Sequence, residues 1–327
     1  MATIYDVAKH AGVSTYTVSS VINRSAYVSP ELTKRVLDAV KELNYTVNEV
    51  ARSLQTRQTK TVGMLIPDIS NPFYAQVVYA VEERLRAEGY ALILGSTHDQ
   101  PEQQSHYLKV FNAKQVDGLL LFAAPGDEGD LQPLLAMKKA IVFVGRRPRT
   151  VEADAVFADN VKGTRLAVEH LLGKGHKKVA IVVGPRGLSA NEDRIEGWEA
   201  ALKKKKFDAP ANWIGEGDWT MESALAITSA WLANANDRPT AVFAANFLMM
   251  TGVLKAIKAA NLRCPQDVEV MSSDDYDWLD AFEPAVSTVA QPGRQMGDEA
   301  AGLLLKRIKQ PGRKPQSITL SPTLRVR

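Results

Sequence analysis

Thr15, Tyr16, Thr17, Ser19, Ser20 and Asn23 crowd hydroxyls and an amide into one short span. Stepping 100° per residue puts Val18, Val21 and Ile22 on one side of a helix there. Tyr16, Ser19, Ser20 and Asn23 fall opposite, with Thr15 and Thr17 on the flanks. Such a face offers donors and acceptors to the edges of nucleic-acid bases, which is recognition chemistry and not bond-breaking chemistry. The motifs of bond-breaking chemistry are missing. No G-x-G-x-x-G follows an apolar run, and neither a Walker A sequence nor a G-x-S-x-G elbow occurs. Gly215-Glu216-Gly217 lacks a third glycine, and the five histidines do not cluster at metal spacing. Neither enzymatic activity nor a cofactor or metal is expected.

The elements that must hold this face are legible nearby. Thr3 and Asp6 have capping-box spacing and open a helix whose apolar side is Ile4, Val7, Ala8 and Ala11. Gly12 breaks it, and Ser14 is placed to cap the next helix, from Thr15 to about Asn23. Ser29-Pro30-Glu31 starts a third, with Leu32, Val36, Ala39, Val40 and Leu43 as its buried stripe. Two short helices joined by a glycine turn and braced by a third make a helix-turn-helix, which sets the second helix into the DNA major groove. Charge agrees. Residues 1–60 hold eight cations against five anions, so they carry the whole net charge of +3 and leave the remainder neutral.

Tyr5-Asp6-Val7-Ala8, Ala11-Gly12-Val13-Ser14, Thr17-Val18-Ser19, Val28-Ser29 and Leu43-Asn44-Tyr45 closely resemble the headpiece of the LacI/GalR repressor family. The resemblance continues through Asn48-Glu49-Val50-Ala51-Arg52-Ser53-Leu54, which is similar to the family's hinge helix. It implies base reading by Thr15, Tyr16 and Ser20, and backbone or headpiece roles for Tyr5, Ser14, Thr17 and Asn23. It implies minor-groove contact by Asn48 and Ala51, with Leu54 as an apolar wedge that unstacks and kinks the duplex. Two departures stand out. Val47 replaces the usual proline before the hinge, which predicts a looser start to that helix. Ser20 is too short for the bidentate arginine-to-guanine contact, leaving Thr15 and Tyr16 as the stronger readers.

Gln55–Thr61 has no apolar side chain and reads as a linker. Beyond it, short apolar runs alternate with helical stretches. The runs are Val62–Ile66, Ala91–Leu94, Gly118–Phe122, Ile141–Val144, Val179–Val183, Ala241–Phe243 and Val268–Met271. The helices are expected at Phe73–Glu88, Gln103–Ala113, Gly163–Leu172, Glu192–Lys204, Glu222–Leu232, Met249–Ala260 and Met296–Ile308. This alternation predicts parallel sheets covered on both faces, with ligands bound beyond the carboxyl ends of the strands. Asn71-Pro72-Phe73-Tyr74, Asp159-Asn160, Gly175-His176, Arg194, Gly197-Trp198, Asn246, Asp274-Asp275 and Gln291-Pro292 extend the family resemblance over nearly the whole chain.

The resemblance implies an all-α headpiece over 1–46, a hinge helix and linker over 47–61, and a two-lobed α/β effector domain over 62–327. That domain is similar to type I periplasmic binding proteins, with lobe one at 62–159 plus 290–319 and lobe two at 160–289 plus 320–327. Its implied effector residues are Phe73, Tyr74 and Trp219 as walls, Arg194 as an oxygen-holding fork, and Asn246 and Asp274 as hydroxyl anchors. His98, Asp159, Asn191 and Gln291 are weaker candidates. Phe247, where relatives commonly carry aspartate, removes a hydroxyl partner, and Ser272-Ser273 replaces a glycine-aromatic pair. Together with Arg146-Arg147 these departures widen the expected effector class from sugars to sugar acids. The expected function is an allosteric repressor of a catabolic operon, acting as a homodimer on a pseudo-palindromic operator. The rival readings are control by a protein corepressor and an enzyme on a Rossmann-like scaffold.

Bulk properties fit this. At 327 residues and 45% apolar content the chain can bury more than one core. No apolar run approaches a membrane span, the N-terminus lacks a signal-peptide pattern, and Cys264 has no disulfide partner, so a cytoplasmic location is expected. Lys203–Lys206 reads as a solvated helix end, and the absence of a heptad tail after the C-terminal strand predicts a dimer and not a tetramer.

Overall fold

Local capping decides where the first helices begin. Thr3 and Asp6 cap each other's backbone amides to open α1 (Ile4–Ala11), and Gly12 ends it at φ +62°. The Ser14 hydroxyl accepts the Thr17 amide at 3.1 Å and opens α2 (Thr15–Asn23). Ser29 and Pro30 open α3 (Pro30–Glu42). Val7, Ala8, Ala11, Val18, Val36 and Ala39 form the buried core of this bundle. Arg35 donates to the Ala11 carbonyl at 2.6 Å, so one of the cations counted above closes the turn between α1 and α2.

The computed structural model describes residues 2–23, 25–46, 58–126, 131, 139–147, 151–208 and 210–327. They form two compact units, Met1–Thr59 and Lys60–Arg327. Val47, Asn48, Ala51 and Leu54 lie outside the described residues, and so does the hinge helix expected over them.

The second unit contains two six-stranded sheets. The first runs β11-β5-β4-β3-β1-β2 and is parallel throughout. Its strands are β1 (Thr61–Ile66), β2 (Ala91–Ser96), β3 (Gly118–Leu121), β4 (Ala140–Val144), β5 (Asp154–Ala158) and β11 (Ser317–Leu320). The second runs β12-β10-β9-β8-β6-β7, with β12 antiparallel against β10. Its strands are β6 (Val179–Val183), β7 (Ile214–Glu216), β8 (Ala241–Ala244), β9 (Glu269–Ser273), β10 (Ser287–Ala290) and β12 (Thr323–Arg325). β3, β4, β6 and β8 are buried along their whole length, as unbroken apolar runs under helices must be, and β9 is buried throughout although it carries Glu269, Ser272 and Ser273. β5, β7, β10 and β11 are additions to the strands expected from sequence.

α4 (Pro72–Ala87), α5 (Pro101–Ala113) and α10 (Gly293–Lys309) clothe the first sheet, with α10 packed on α4. α6 (Asn160–Gly173), α7 (Ser189–Lys204), α8 (Met221–Leu232) and α9 (Phe247–Ala259) clothe the second, as the pairs α6–α7 and α8–α9. The chain passes between the lobes after β5, after β10 and after β11. Asp154, fully buried, accepts from Arg307 at 2.9 Å, Arg313 at 3.0 Å and the Gln316 amide at 2.8 Å, fastening the β11 segment to β5.

α6 and α7 approach closely because Gly197 has no side chain: a Cβ there would stand 2.4 Å from the Val161 carbonyl oxygen. Gly197→Ala is expected to push the helices apart and cost about 1–3 kcal/mol, the usual penalty of overpacking. Urea unfolding checks this, and an unchanged midpoint would refute it.

Candidate functional site

Each unit carries its own site. In the headpiece, Tyr5 and Tyr16 are each 73% exposed, Asn23 is exposed and Thr15 half-buried. Tyr16 therefore projects from the outer face of α2 near its N-terminus, where a major-groove helix meets base edges. The Thr17 and Ser14 hydroxyls lie 2.9 Å apart and serve the cap, while Asn23 donates to the Ser19 hydroxyl at 3.2 Å. Ser20 corrects the helical-wheel reading. It is 2% exposed and lies on the side of α2 that faces Ala26, Tyr27, Val28 and the α3 residues Thr33 and Leu37. Its hydroxyl does not belong to the outer face.

In the second unit a cleft lies between the carboxyl ends of the two sheets. An inner cavity of about 50 Å³ is lined by Phe73, Tyr74, Arg194, Trp219, Asn246, Asp274 and Gln291, all anticipated. Asn71, Phe122, Gly145, Arg146 and Asn160 also line it, beside apolar wall from Ala158, Ala190, Ala245 and Met296, and those first five were not among the anticipated effector residues. Each of those five sits within three residues of a strand's carboxyl end or a helix start, and that rule alone would have found them. The cavity opens into an outer mouth of about 600 Å³ that includes His98, Asp99 and Thr220.

Secondary structure explains these positions. Asn71 caps α4 by accepting the Phe73 amide at 3.0 Å, and it presents Phe73 and Tyr74 from the first turn. Tyr74 meets Phe73 edge-on at 5.4 Å and Phe122 at 5.0 Å, forming an aromatic wall. Gly145 turns the chain after β4 at φ +72°, and a Cβ there would reach the Phe122 ring at 2.4 Å. That turn delivers Arg146 into the cleft, where it makes a bidentate pair with Asp99 at 2.6 and 2.9 Å. Asp99 thus neutralises Arg146.

Across the cleft, Arg194 projects from α7. It donates to the Ala190 carbonyl at 3.2 Å and to Asn191 at 3.4 Å, and its Nε has no partner. Its guanidinium carbon lies 5.7 Å from the Trp219 ring centroid, and burial pulls its pKa below the usual arginine value. Asn246 caps α9 through the Met249 amide at 2.7 Å and donates to the Trp219 carbonyl at 3.3 Å. Trp219 and Asp274 both adopt left-handed backbone, at φ +71° and +73°.

Burial pushes the Asp274 carboxyl up to about 6 against the opposing pull of Arg194. Its folded value lies above the ordinary 3.8, so the stability it contributes is complete below about pH 4 and lost as pH rises through about 6. Asp274→Asn is accordingly expected to raise Tm at pH 7.5. A ligand hydroxyl that donates to Asp274 needs the carboxylate, so ligand affinity in the unmodified chain should fall about tenfold per pH unit well below 6. Calorimetric titration from pH 5 to 8 checks this, and a flat profile would count against Asp274 as acceptor.

The other anticipated residues have supporting positions. Asp159 caps α6 by accepting the Lys162 amide at 2.9 Å. Asn191, fully buried, donates to the Pro185 carbonyl at 2.7 Å and steadies Arg194. Gln291 donates to Asn160 at 3.3 Å. Phe247 is a correction: its ring turns from the cleft into a cluster with Trp278 at 4.8 Å, Tyr276 at 5.7 Å and Phe282 at 6.3 Å. Ser272 and Ser273 are also enclosed, at 1% exposure each. Arg147 pairs with Asp193, so neither member of the basic pair is left over for an acid. Cys264 is half-buried, and burial pushes its thiol up to about 11, which suits a packing role.

Among the described residues no helix is long and apolar enough to cross a membrane. Residues 3–48 match the model of the bacterial regulatory proteins of the lacI family, and residues 168–327 match a periplasmic binding protein-like domain. The chain is 36% identical to the HTH-type transcriptional repressor PurR of Photobacterium profundum over 329 residues, covering 100% of this chain and 98% of that protein. It is also 36% identical to the ribose operon repressor of Haemophilus influenzae, with the same coverage. Among solved structures, the lac repressor dimer bound to operator and the anti-inducer ONPF aligns with a TM-score of 0.88 at 28% identity, over 100% of this chain and 98% of that one.

Proposed function

The chain belongs to the LacI family of bacterial regulatory proteins, and from that premise we propose that its effector is a neutral sugar of pentose or hexose size held between the two lobes. The protein is a DNA-binding transcriptional repressor under small-molecule control, and its family is one of repressors and not of enzymes. The observation that carries the effector class is the charge balance of the cleft. Arg146 is neutralised by Asp99 and Arg147 by Asp193, which leaves the Arg194 guanidinium facing one carboxylate, Asp274. Such a set donates to one hydroxyl and accepts from another, between the aromatic walls of Phe73, Tyr74 and Trp219. A sugar acid would leave one negative charge without a partner, so the neutral sugar is favoured. The ribose operon repressor among the relatives supports the same class.

Operator reading is assigned to Thr15 and Tyr16 on α2, with Tyr5, Ser14, Thr17 and Asn23 holding the headpiece on the duplex. Asn48, Ala51 and Leu54 are assigned to the minor groove on the family resemblance. The chain acts as a homodimer on a pseudo-palindromic site, in keeping with the dimeric relative. The test is a thermal-shift panel of neutral sugars, sugar acids and nucleobases, followed by operator titration with each stabilising compound. A neutral sugar that raises Tm and changes operator affinity is expected. Stabilisation by acids or nucleobases alone would overturn the assignment.

A further inference from the structure

Asp275 follows the cleft carboxylate Asp274, yet its own side chain serves a different purpose. It is almost wholly enclosed and accepts from three donors at once. The Thr288 hydroxyl lies 2.6 Å away, and the guanidinium groups of Arg327 and Arg325 lie 2.7 Å away. Thr288 belongs to β10 and Arg325 to β12, with Arg327 just beyond it. Arg327 is itself held from behind, since Asp280 accepts its Nε at 2.7 Å and its amide donates to the Ser287 hydroxyl at 3.0 Å. Neither Asp275 nor any of its three donors lines the cavity or its mouth.

Asp274 needs holding. Its backbone is left-handed at φ +73° and its carboxyl is buried, and both conditions cost free energy. On the upstream side β9 restrains it: Ser273 pairs with Val289, and the Asp274 amide donates to the Val289 carbonyl at 3.0 Å. On the downstream side the next residue is the pinned Asp275. We infer that Arg325, Arg327 and Thr288 are positioning residues for effector binding, which pin Asp275 and so keep Asp274 in the strained, enclosed conformation that aims its carboxylate at the ligand. This rests on the reading of Asp274 as acceptor of a sugar hydroxyl. An acceptor placed in advance spares the ligand the entropy of ordering it.

The surroundings of Asp274 give the inference a signature. Burial raises its pKa against Arg194 of α7 and the Phe247 amide of α9, with the Tyr74 hydroxyl of α4 and the Tyr276 hydroxyl alongside. If the pin is loosened, the backbone relaxes and the carboxyl moves towards water. Its titration midpoint then falls from about 6 towards the ordinary 3.8. A general loss of stability would leave that midpoint in place.

The test is carboxyl-carbon NMR of the full chain labelled at aspartate, with the Asp274 signal assigned by its loss in Asp274→Asn. Arg325 is half-exposed and Thr288→Val is close to isosteric, so Arg325→Gln and Thr288→Val each remove one donor without opening a cavity. Each is expected to lower the Asp274 midpoint by about one pH unit and to weaken D-ribose binding at neutral pH about three- to tenfold. Lys178→Ala is the control, because it removes an ion pair with Asp237 at the opposite end of the same sheet and should shift neither quantity. An unchanged midpoint in folded variants overturns the inference, even if ribose binding weakens. Should Arg325→Gln fail to fold, Thr288→Val decides by the same criterion. If the unmodified chain binds no sugar, the effector class fails, and the midpoint still decides whether the pin holds Asp274.

Discussion

Replacing Arg194 by alanine is expected to give a repressor that still occupies its operator but no longer changes its operator affinity when sugar is added. Two losses combine in this variant. The guanidinium, charge-balanced by Asp274, still has an Nε donor with no hydrogen-bond partner within the protein. A charge-assisted hydrogen bond from such a group to a ligand oxygen contributes about 1.5–3 kcal/mol. Arg194 is also the cation that opposes the burial of Asp274, whose carboxyl already sits at about 6. Without it the carboxyl rises further, is protonated near neutral pH, and ceases to accept from a ligand hydroxyl. Donor and acceptor are thus lost together, and sugar affinity should fall at least about 100-fold by the same arithmetic. Arg194→Lys keeps the charge without the planar fork, so it should lose only about tenfold. Calorimetry with ribose and operator titration measure both; native sugar binding by the alanine variant would remove Arg194 from the site.

The second large effect belongs to the headpiece. Tyr16 is 73% exposed and Thr15 half-buried, and neither belongs to the core of Val7, Ala8, Ala11, Val18, Val36 and Ala39. Tyr16→Ala should therefore leave the headpiece folded while removing a base-edge contact that carries about 1–3 kcal/mol of discrimination, or about 10–100-fold in operator affinity. Thr15→Ala should act in the same direction with a smaller effect. Both should leave binding to scrambled duplex and its salt dependence unchanged, because those report phosphate contacts. Ser20→Ala is the internal control: an enclosed hydroxyl reads no base, and a change under about threefold is expected. Anisotropy on an operator selected from random duplexes, at fixed salt, separates these outcomes. A Tyr16→Ala protein that loses operator and scrambled duplex equally would show that Tyr16 touches only the backbone.

Much of this architecture was legible because its signals are local. The capping pairs Thr3–Asp6 and Ser14–Thr17 and the proline at Pro30 lie within three residues of what they control. Helices of the effector domain begin one to three residues before the apolar periodicity does, since their first turns are built from Pro72, Pro101 and Asn160. Non-local features were hidden. β11 finds β5 across more than 150 residues, held by contacts such as Gln316 to Asp154 at a separation of 162. Phe247 begins its helix as its neighbours suggest, but the direction of its ring is set by Tyr276, Trp278 and Phe282, which no spacing rule connects to it. The placement of Ser20 failed for a related reason, because a helical wheel knows nothing of what packs against the helix, here Ala26, Tyr27, Val28 and α3. Arg146 was noticed as a charge, while its neutralisation by Asp99 needed two separate strand ends to meet.

The three passages of the chain between the lobes also fix an order of manufacture. By the time Ala290 has left the ribosome, the second sheet has every strand but its antiparallel edge β12. The first sheet, although begun more than a hundred residues earlier, still lacks β11 and the helix α10 that covers β3, β4 and β5. The lobe that starts first waits longest for its cover. At about 5–20 residues per second this leaves β3, β4 and β5 without α10 for roughly eight to thirty seconds while residues 159–309 are made. In that interval the apolar sheet face is open to chaperones and to like chains, and the later-born lobe is the scaffold on which the earlier one is completed.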